Sequence, residues 1–142
     1  MVTAINPYLN FPGTAEAAFN FYKSVFGGEF AMVQRFKDVP PEQNAKGDPE
    51  MIMHISLPVG KGNMLMASDV PTGMGYDVKV GNNVQLSLNA DSKAEADRLF
   101  NGLSAGGKVT LAMSDQFWGS YFGMFTDKFG IQWMVSYDPN RP

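Results

Sequence analysis

Apolar and polar side chains alternate from Ile5 to Phe11, with Ile5, Pro7, Leu9 and Phe11 on one side and Asn6, Tyr8 and Asn10 on the other. A period of two is the signature of a strand with one face on a core. Proline cannot donate to a sheet ladder, so Pro7 predicts an edge or strand-start position. The period then changes: Ala18, Phe21, Tyr22 and Val25 recur at helical spacing, which predicts a helix over Ala15–Phe26. Thr14 is its candidate N-cap and Gly27-Gly28 its stop. Strand-like runs follow at Glu29–Phe36, at Met51–Leu57, where alternation puts Ile52, His54 and Ser56 on one face, and at Asn63–Ser68. The polar stretch Lys37–Glu50, with three prolines and a glycine, is a long loop to which the pattern assigns no role.

The same order returns. Residues 15–28 read AEAAFNFYKSVFGG and residues 94–107 read AEADRLFNGLSAGG. The shift that takes Ala15 to Ala94 also takes Leu9-Asn10 to Leu88-Asn89. A repeat of this kind decides the architecture before any single element does. In the second copy Val84–Asn89 alternates, Asp91 or Ser92 caps a helix ending at Gly106-Gly107, and strands follow at Lys108–Met113, Tyr121–Thr126 and Ile131–Tyr137. Each half therefore reads βαβββ. The expected fold is α+β: two tandem βαβββ modules forming a curved mixed sheet around a cavity, with the helices on the outer face. One domain spans 1–142, with module one at about 1–70, a glycine- and proline-rich linker at about 71–82 and module two at about 83–138. Open sheets leave unpaired edges, and a homodimer is the expected remedy.

Composition narrows the partners. The chain has 142 residues and a formal net charge of −3, and it carries no basic patch, so nucleic acid is not an expected partner. It has no cysteine, which suits a reducing cytoplasm. No apolar run approaches the roughly 18 residues of a membrane span, and no leader is evident at the N-terminus. No phosphate-cradling glycine loop and no nucleophile elbow can be found.

Three stretches carry a resemblance: PYLNFPGTAEAAFNFY, IMHISLPVGKGNMLMASD and FWGSYFGMFTDKFGIQWMV. Together they resemble the vicinal-oxygen-chelate superfamily, which includes glyoxalase I, the bleomycin and fosfomycin resistance proteins and the extradiol dioxygenases. Within it they are closest in wording to the PhnB-like branch. That branch carries a 3-demethylubiquinone methyltransferase label, but the sequence has no glycine motif of the kind S-adenosylmethionine binding requires, so methyl transfer is not expected. The resemblance implies one divalent metal held by residues on the first and fourth strands of each module. Those positions fall here at Asn6, Gln85, Met66 and Met134. Amides and thioethers are poor partners for Zn, Ni, Mn or Fe, so no metal ligand and no cofactor is expected.

Parity along the strands, carried from one copy to the other, predicts a ligand pocket lined by Asn6, Tyr8, His54, Met66, Gln85, Ser87, Phe122 and Met134, with Trp118 near its mouth. His54 is the lone histidine. It reads either as a structural histidine or as a pocket residue able to act as general base, and it is the one catalytic candidate. Met64, Met66, Met124 and Met134 could line an adaptable apolar pocket or fill the core. Trp133 belongs to the apolar face, and Asp69 and Asp127 read as turn formers. The first functional expectation is a metal-free protein that binds a small-molecule ligand, of the glyoxalase/bleomycin-resistance type. A lyase or isomerase acting on a small oxygenated metabolite is the alternative, and a protein–protein module with a vestigial pocket is the third.

Overall fold

In the computed structural model, residues 1–40, 48–73, 75 and 77–140 are described. The chain divides into two compact units, Met1–Lys79 and Val80–Pro142. Unit one runs β1 (Tyr8–Phe11), α1 (Ala15–Phe26), β2 (Met32–Arg35), a 3₁₀ turn (Phe36–Asp38), β3 (Ile52–Val59) and β4 (Asn63–Asp69). Unit two runs β5 (Leu86–Asn89), α2 (Lys93–Ser104), β6 (Lys108–Asp115), β7 (Tyr121–Thr126) and β8 (Gln132–Tyr137). Each is a βαβββ module. The sheets have matching orders, β1-β4-β3-β2 and β5-β8-β7-β6, with the first pair parallel and the rest antiparallel.

The same physical rule builds both units. In β4, Leu65, Ala67 and Asp69 are buried while Met64, Met66 and Ser68 are partly exposed, so odd positions meet α1 and even positions form an open face. In β8, Trp133 and Val135 are buried and Met134 and Ser136 are not. Helix α1 buries Ala15, Ala18, Phe19, Tyr22 and Val25, and α2 buries Ala96, Leu99, Phe100 and Leu103. Phe19 meets Phe11 and Tyr22 edge-on, and Phe100 meets Phe125 edge-on at 5.1 Å, the arrangement that ring quadrupoles favour. Trp133, 2 % exposed, is core.

Several local expectations are corrected. Strand β1 begins at Tyr8, not Ile5, and Ile5 is exposed. Pro7 lies just ahead of this edge strand and its carbonyl accepts from the Met66 N–H, a role that needs no donor from proline. Strand β2 is shorter than Glu29–Phe36, and β6 runs on to Asp115 through two register irregularities. Ile52 does not share a face with His54 and Ser56. A bulge opposite Gln34 and Arg35 shifts the register, and Ile52 is fully buried. Ser92 caps α2 by accepting from the Glu95 N–H at 3.0 Å. Thr14 makes no such bond; the α1 terminus is capped from a distance by Asp69, whose Oδ1 accepts from the Ala15 N–H at 2.9 Å. Much of the predicted 37–50 loop, residues 41–47, lies outside the described residues.

Candidate functional site

The open face of the first sheet is built by register. Tyr8 lies opposite Met66, Met66 opposite Ser56, Gln34 opposite His54 and Met32 opposite Ser56. These side chains therefore share the face turned away from α1. The Tyr8 hydroxyl lies 3.2 Å from His54 Nδ1, and the two rings lie 5.6 Å apart. A hydrogen bond at one imidazole nitrogen fixes the ring and leaves Nε2 for other partners. No Asp, Glu, Lys or Arg stands among these residues. Asn6 precedes the strand, and its Oδ1 accepts from the Met64 N–H at 3.1 Å, which ties the chain entering β1 to β4. Of the sequence-predicted residues in this unit, Tyr8, His54 and Met66 come together, while Asn6 serves the backbone.

The second sheet repeats the frame with different chemistry. Ser87 lies opposite Met134, Met124 opposite Met134 and Phe122 opposite Ser136. Ser87 thus takes the register place of Tyr8, Met134 that of Met66 and Phe122 that of His54. Trp118 is 54 % exposed in the β6–β7 loop, and its ring stacks edgewise on Phe122 at 5.9 Å and on the exposed Phe117 at 5.1 Å. Gln85 is exposed just ahead of β5. Met64, Met66, Met124 and Met134 are half-buried on the open faces, outside the helix-packed cores.

Sequence reasoning missed the buried carboxylates. Asp69 accepts from the Ala15 and Ile52 N–H groups, one on each oxygen. Asp127 accepts from the Phe129 and Ile131 N–H groups and from Trp133 Nε1–H at 2.8 Å. Both tie backbone to core. The displaced protonation equilibria lie on or against the helices. Tyr121 donates to Asp97 of α2 at 2.6 Å, and that bond holds its phenol above the usual 10.0. Hydrogen bonds from Arg35 hold Glu16 of α1 below its usual value, and those from Arg98 do the same for Glu95. A shared Asn–Ser pair marks the duplication: Ser68 Oγ donates to Asn10 Oδ1 at 3.5 Å, and Ser136 Oγ donates to Asn89 Oδ1 at 3.0 Å.

Tandem βαβββ modules, each with a helix on one sheet face and a mixed polar and methionine face left open, define a protein of the vicinal-oxygen-chelate superfamily, PhnB-like branch. The chain belongs to the 3-demethylubiquinone-9 3-methyltransferase family, whose profile matches residues 3–136. Protein PA1353 of Pseudomonas aeruginosa is 41 % identical, with a TM-score of 0.84 over 96 % of this chain and 98 % of that one. The PhnB protein of Bacillus cereus is 24 % identical, with a TM-score of 0.76 over 95 % and 99 %. A glyoxalase/bleomycin resistance protein/dioxygenase family enzyme of Burkholderia phytofirmans PsJN shares the fold at 18 % identity, with a TM-score of 0.60 over 94 % and 98 %.

Proposed function

We propose that this protein binds a small oxygenated or partly apolar molecule on the open face that carries Tyr8, His54 and Met66, and that it does so without the metal usual in its superfamily. The observation that carries the reading is the Tyr8–His54 pair at 3.2 Å beside half-buried methionine. It combines an oriented polar group with adaptable apolar surface, the combination that ligand sites use. The donor set at the expected metal positions does not fit a hard or borderline divalent ion. Asn6 Oδ1 is already engaged by the Met64 N–H, Gln85 offers a neutral amide, and Met66 and Met134 offer thioethers. Among the described residues, no three His, Cys, Asp or Glu side chains gather to hold a metal. The methyltransferase in the family's description is not carried to this chain, because the sequence offers no glycine motif for the methyl donor.

A second reading rests on the same hydrogen bond. An imidazole oriented by Tyr8 could serve as the general base of a lyase or isomerase. The deciding experiment is elemental analysis of protein purified without chelator, paired with a thermal-shift screen of metabolites. Metal-free protein stabilised by apolar carbonyl or carboxylate compounds supports the binder. Stoichiometric metal, or turnover of a stabilising compound that His54→Gln abolishes, supports the enzyme.

Two further proposals concern context. The outer strands β2 and β6 expose Met32, Val33, Val109 and Leu111, and a homodimer that covers such edges is the proposed assembly. Among the described residues no helix is long and apolar enough to cross a membrane. The cysteine-free composition suits the cytoplasm as the proposed compartment.

A further inference from the structure

Ser56 is a buried polar residue on a face that otherwise stays partly open. It is 5 % exposed, and its register partners Met32 and Met66 place it on the face of Tyr8 and His54. Its backbone carbonyl accepts from the Ala31 N–H, but its hydroxyl has no hydrogen-bond partner among the described residues. Buried hydroxyls in native proteins are nearly always paired, so one that is not calls for a physical reason. Two positions along β3, on the same face, stands His54. Its Nδ1 is occupied by Tyr8.

We infer that Ser56 and His54 Nε2–H form a two-donor seat for one oxygen-bearing group, a carbonyl or carboxylate, of the ligand proposed above. This inference rests on that binding reading and adds the chemistry of the contact. A phenol hydroxyl can donate to the lone pair of a ring nitrogen. The seat uses the arrangement in which Tyr8 donates to Nδ1 and the ring proton sits on Nε2. Residues i and i+2 of a strand project in parallel, so the Ser56 hydroxyl and the imidazole N–H point the same way. No carboxylate or cation of β1, β2 or β4 stands opposite them on this face; the residues there are Tyr8, Asn10, Met32, Gln34, Met66 and Ser68. The methionines offer a soft apolar floor for the rest of the ligand. The seat thus accepts an oxygen acceptor attached to a flat or apolar body.

The chain's single histidine makes the test direct, because every imidazole resonance belongs to His54. Nitrogen-15 NMR of the free protein with the imidazole neutral is expected to show the proton on Nε2, and Tyr8→Phe to shift the Nδ1 resonance. Benzoate and benzamide then serve as probes with the same ring, one a carboxylate and one a carbonyl. Either is expected to move the Nε2 signal. Benzoate tightening as His54 gains a proton marks a carboxylate ligand, whereas pH-independent binding of benzamide marks a carbonyl. Loss of one hydrogen bond in Ser56→Ala is expected to weaken the probe about five- to tenfold, and Ser56→Thr, which keeps the hydroxyl, to weaken it less. A proton on Nδ1 in the free protein, or no movement of either ring nitrogen with both probes at millimolar concentration, overturns the inference. So does equal affinity in correctly folded Ser56→Ala. Metabolites that stabilise the protein while Ser56→Ala binds them unchanged would overturn the seat and leave the binding function standing.

Discussion

Asp127 shows how much one side chain can hold. Its two oxygens receive three donors, the N–H groups of Phe129 and Ile131 and the indole N–H of Trp133. It thereby closes the β7–β8 turn and fixes the largest fully buried side chain of the second unit. Removing the carboxylate takes an acceptor from a buried indole N–H and from two part-buried backbone N–H groups, and the cost of losing a buried acceptor exceeds the value of the bonds themselves. Asp127→Ala is expected to lower unfolding free energy by about 2–4 kcal/mol, read by urea denaturation followed by circular dichroism. A loss within about 0.5 kcal/mol, typical of surface positions, would show that water replaces the carboxylate. An aspartate followed by Lys-Phe-Gly reads as a turn from sequence, and so it is. Nothing local announces the indole it anchors, because Trp133 reaches Asp127 only once β8 has folded back on β7.

At the scale of elements, α1 is clamped by side chains from two strands, a carboxylate on one and a guanidinium on the other. Asp69 of β4 caps its first N–H from the core side, and Arg35 of β2 grips Glu16 through its two terminal guanidinium nitrogens, at 3.0 Å and 2.6 Å. The Arg35 hydrogen bonds depress the Glu16 carboxyl from its usual 4.5. A depressed carboxyl contributes stability that is present above the unfolded-state value and is lost as pH falls through the lower folded-state value. Glu16 is half-exposed, so solvent screening keeps the contribution under about 1 kcal/mol. The stability gap between wild type and Glu16→Gln is expected to be visible at pH 7 and to close as pH drops below about 4.5. A gap that persists at pH 3 would assign the effect to packing. In the second unit the seam between α2 and its sheet depends on Gly123. A Cβ there would stand 2.7 Å from Met113 Sδ, 2.8 Å from the Phe100 ring and 3.0 Å from the Leu111 carbonyl. Gly123→Ala is expected to cost about 1–3 kcal/mol by overpacking, with a calorimetric Tm as the measure. The helices themselves were legible from periodicity and terminal glycines: Ala15–Phe26 is as predicted, and α2 starts directly after Ser92, one of its two candidate caps, and ends just ahead of Gly106-Gly107. The cap on α1 was not legible, because Thr14 occupies the conventional position while the acceptor lies on a distant strand. The bulge that buries Ile52 was hidden for a related reason, since strict alternation has no term for an extra residue.

At the scale of the molecule, duplication has preserved a frame and varied its open faces. The Asn–Ser pairs Asn10–Ser68 and Asn89–Ser136 occupy matching register in the two sheets. Methionine stands at both Met66 and Met134, whereas Tyr8 is answered by Ser87 and His54 by Phe122. The imidazole is thus confined to the open face of one copy, while that of the other offers aromatic and thioether surface. Parity in the strands made these faces readable in advance, but parity ends where strands end. Asn6 and Gln85 lie outside β1 and β5, and their place could not be read from alternation. This asymmetry bears directly on metal. The positions at which the resemblance places metal ligands supply thioethers, a neutral amide and an amide already bonded to backbone. A resident metal held at a concentration 100 times its Kd would stabilise the fold by about 2.7 kcal/mol, and each kcal/mol moves Tm by about 2–4 °C in a domain of this size. Excess EDTA is therefore expected to leave Tm unchanged, and elemental analysis of protein purified without chelator is expected to find far less than one divalent metal per chain. A Tm that falls by several degrees in EDTA and recovers with Ni²⁺, Zn²⁺ or Mn²⁺ would overturn the metal-free proposal. The single His54 would then be the first ligand to test, through loss of that recovery in His54→Gln.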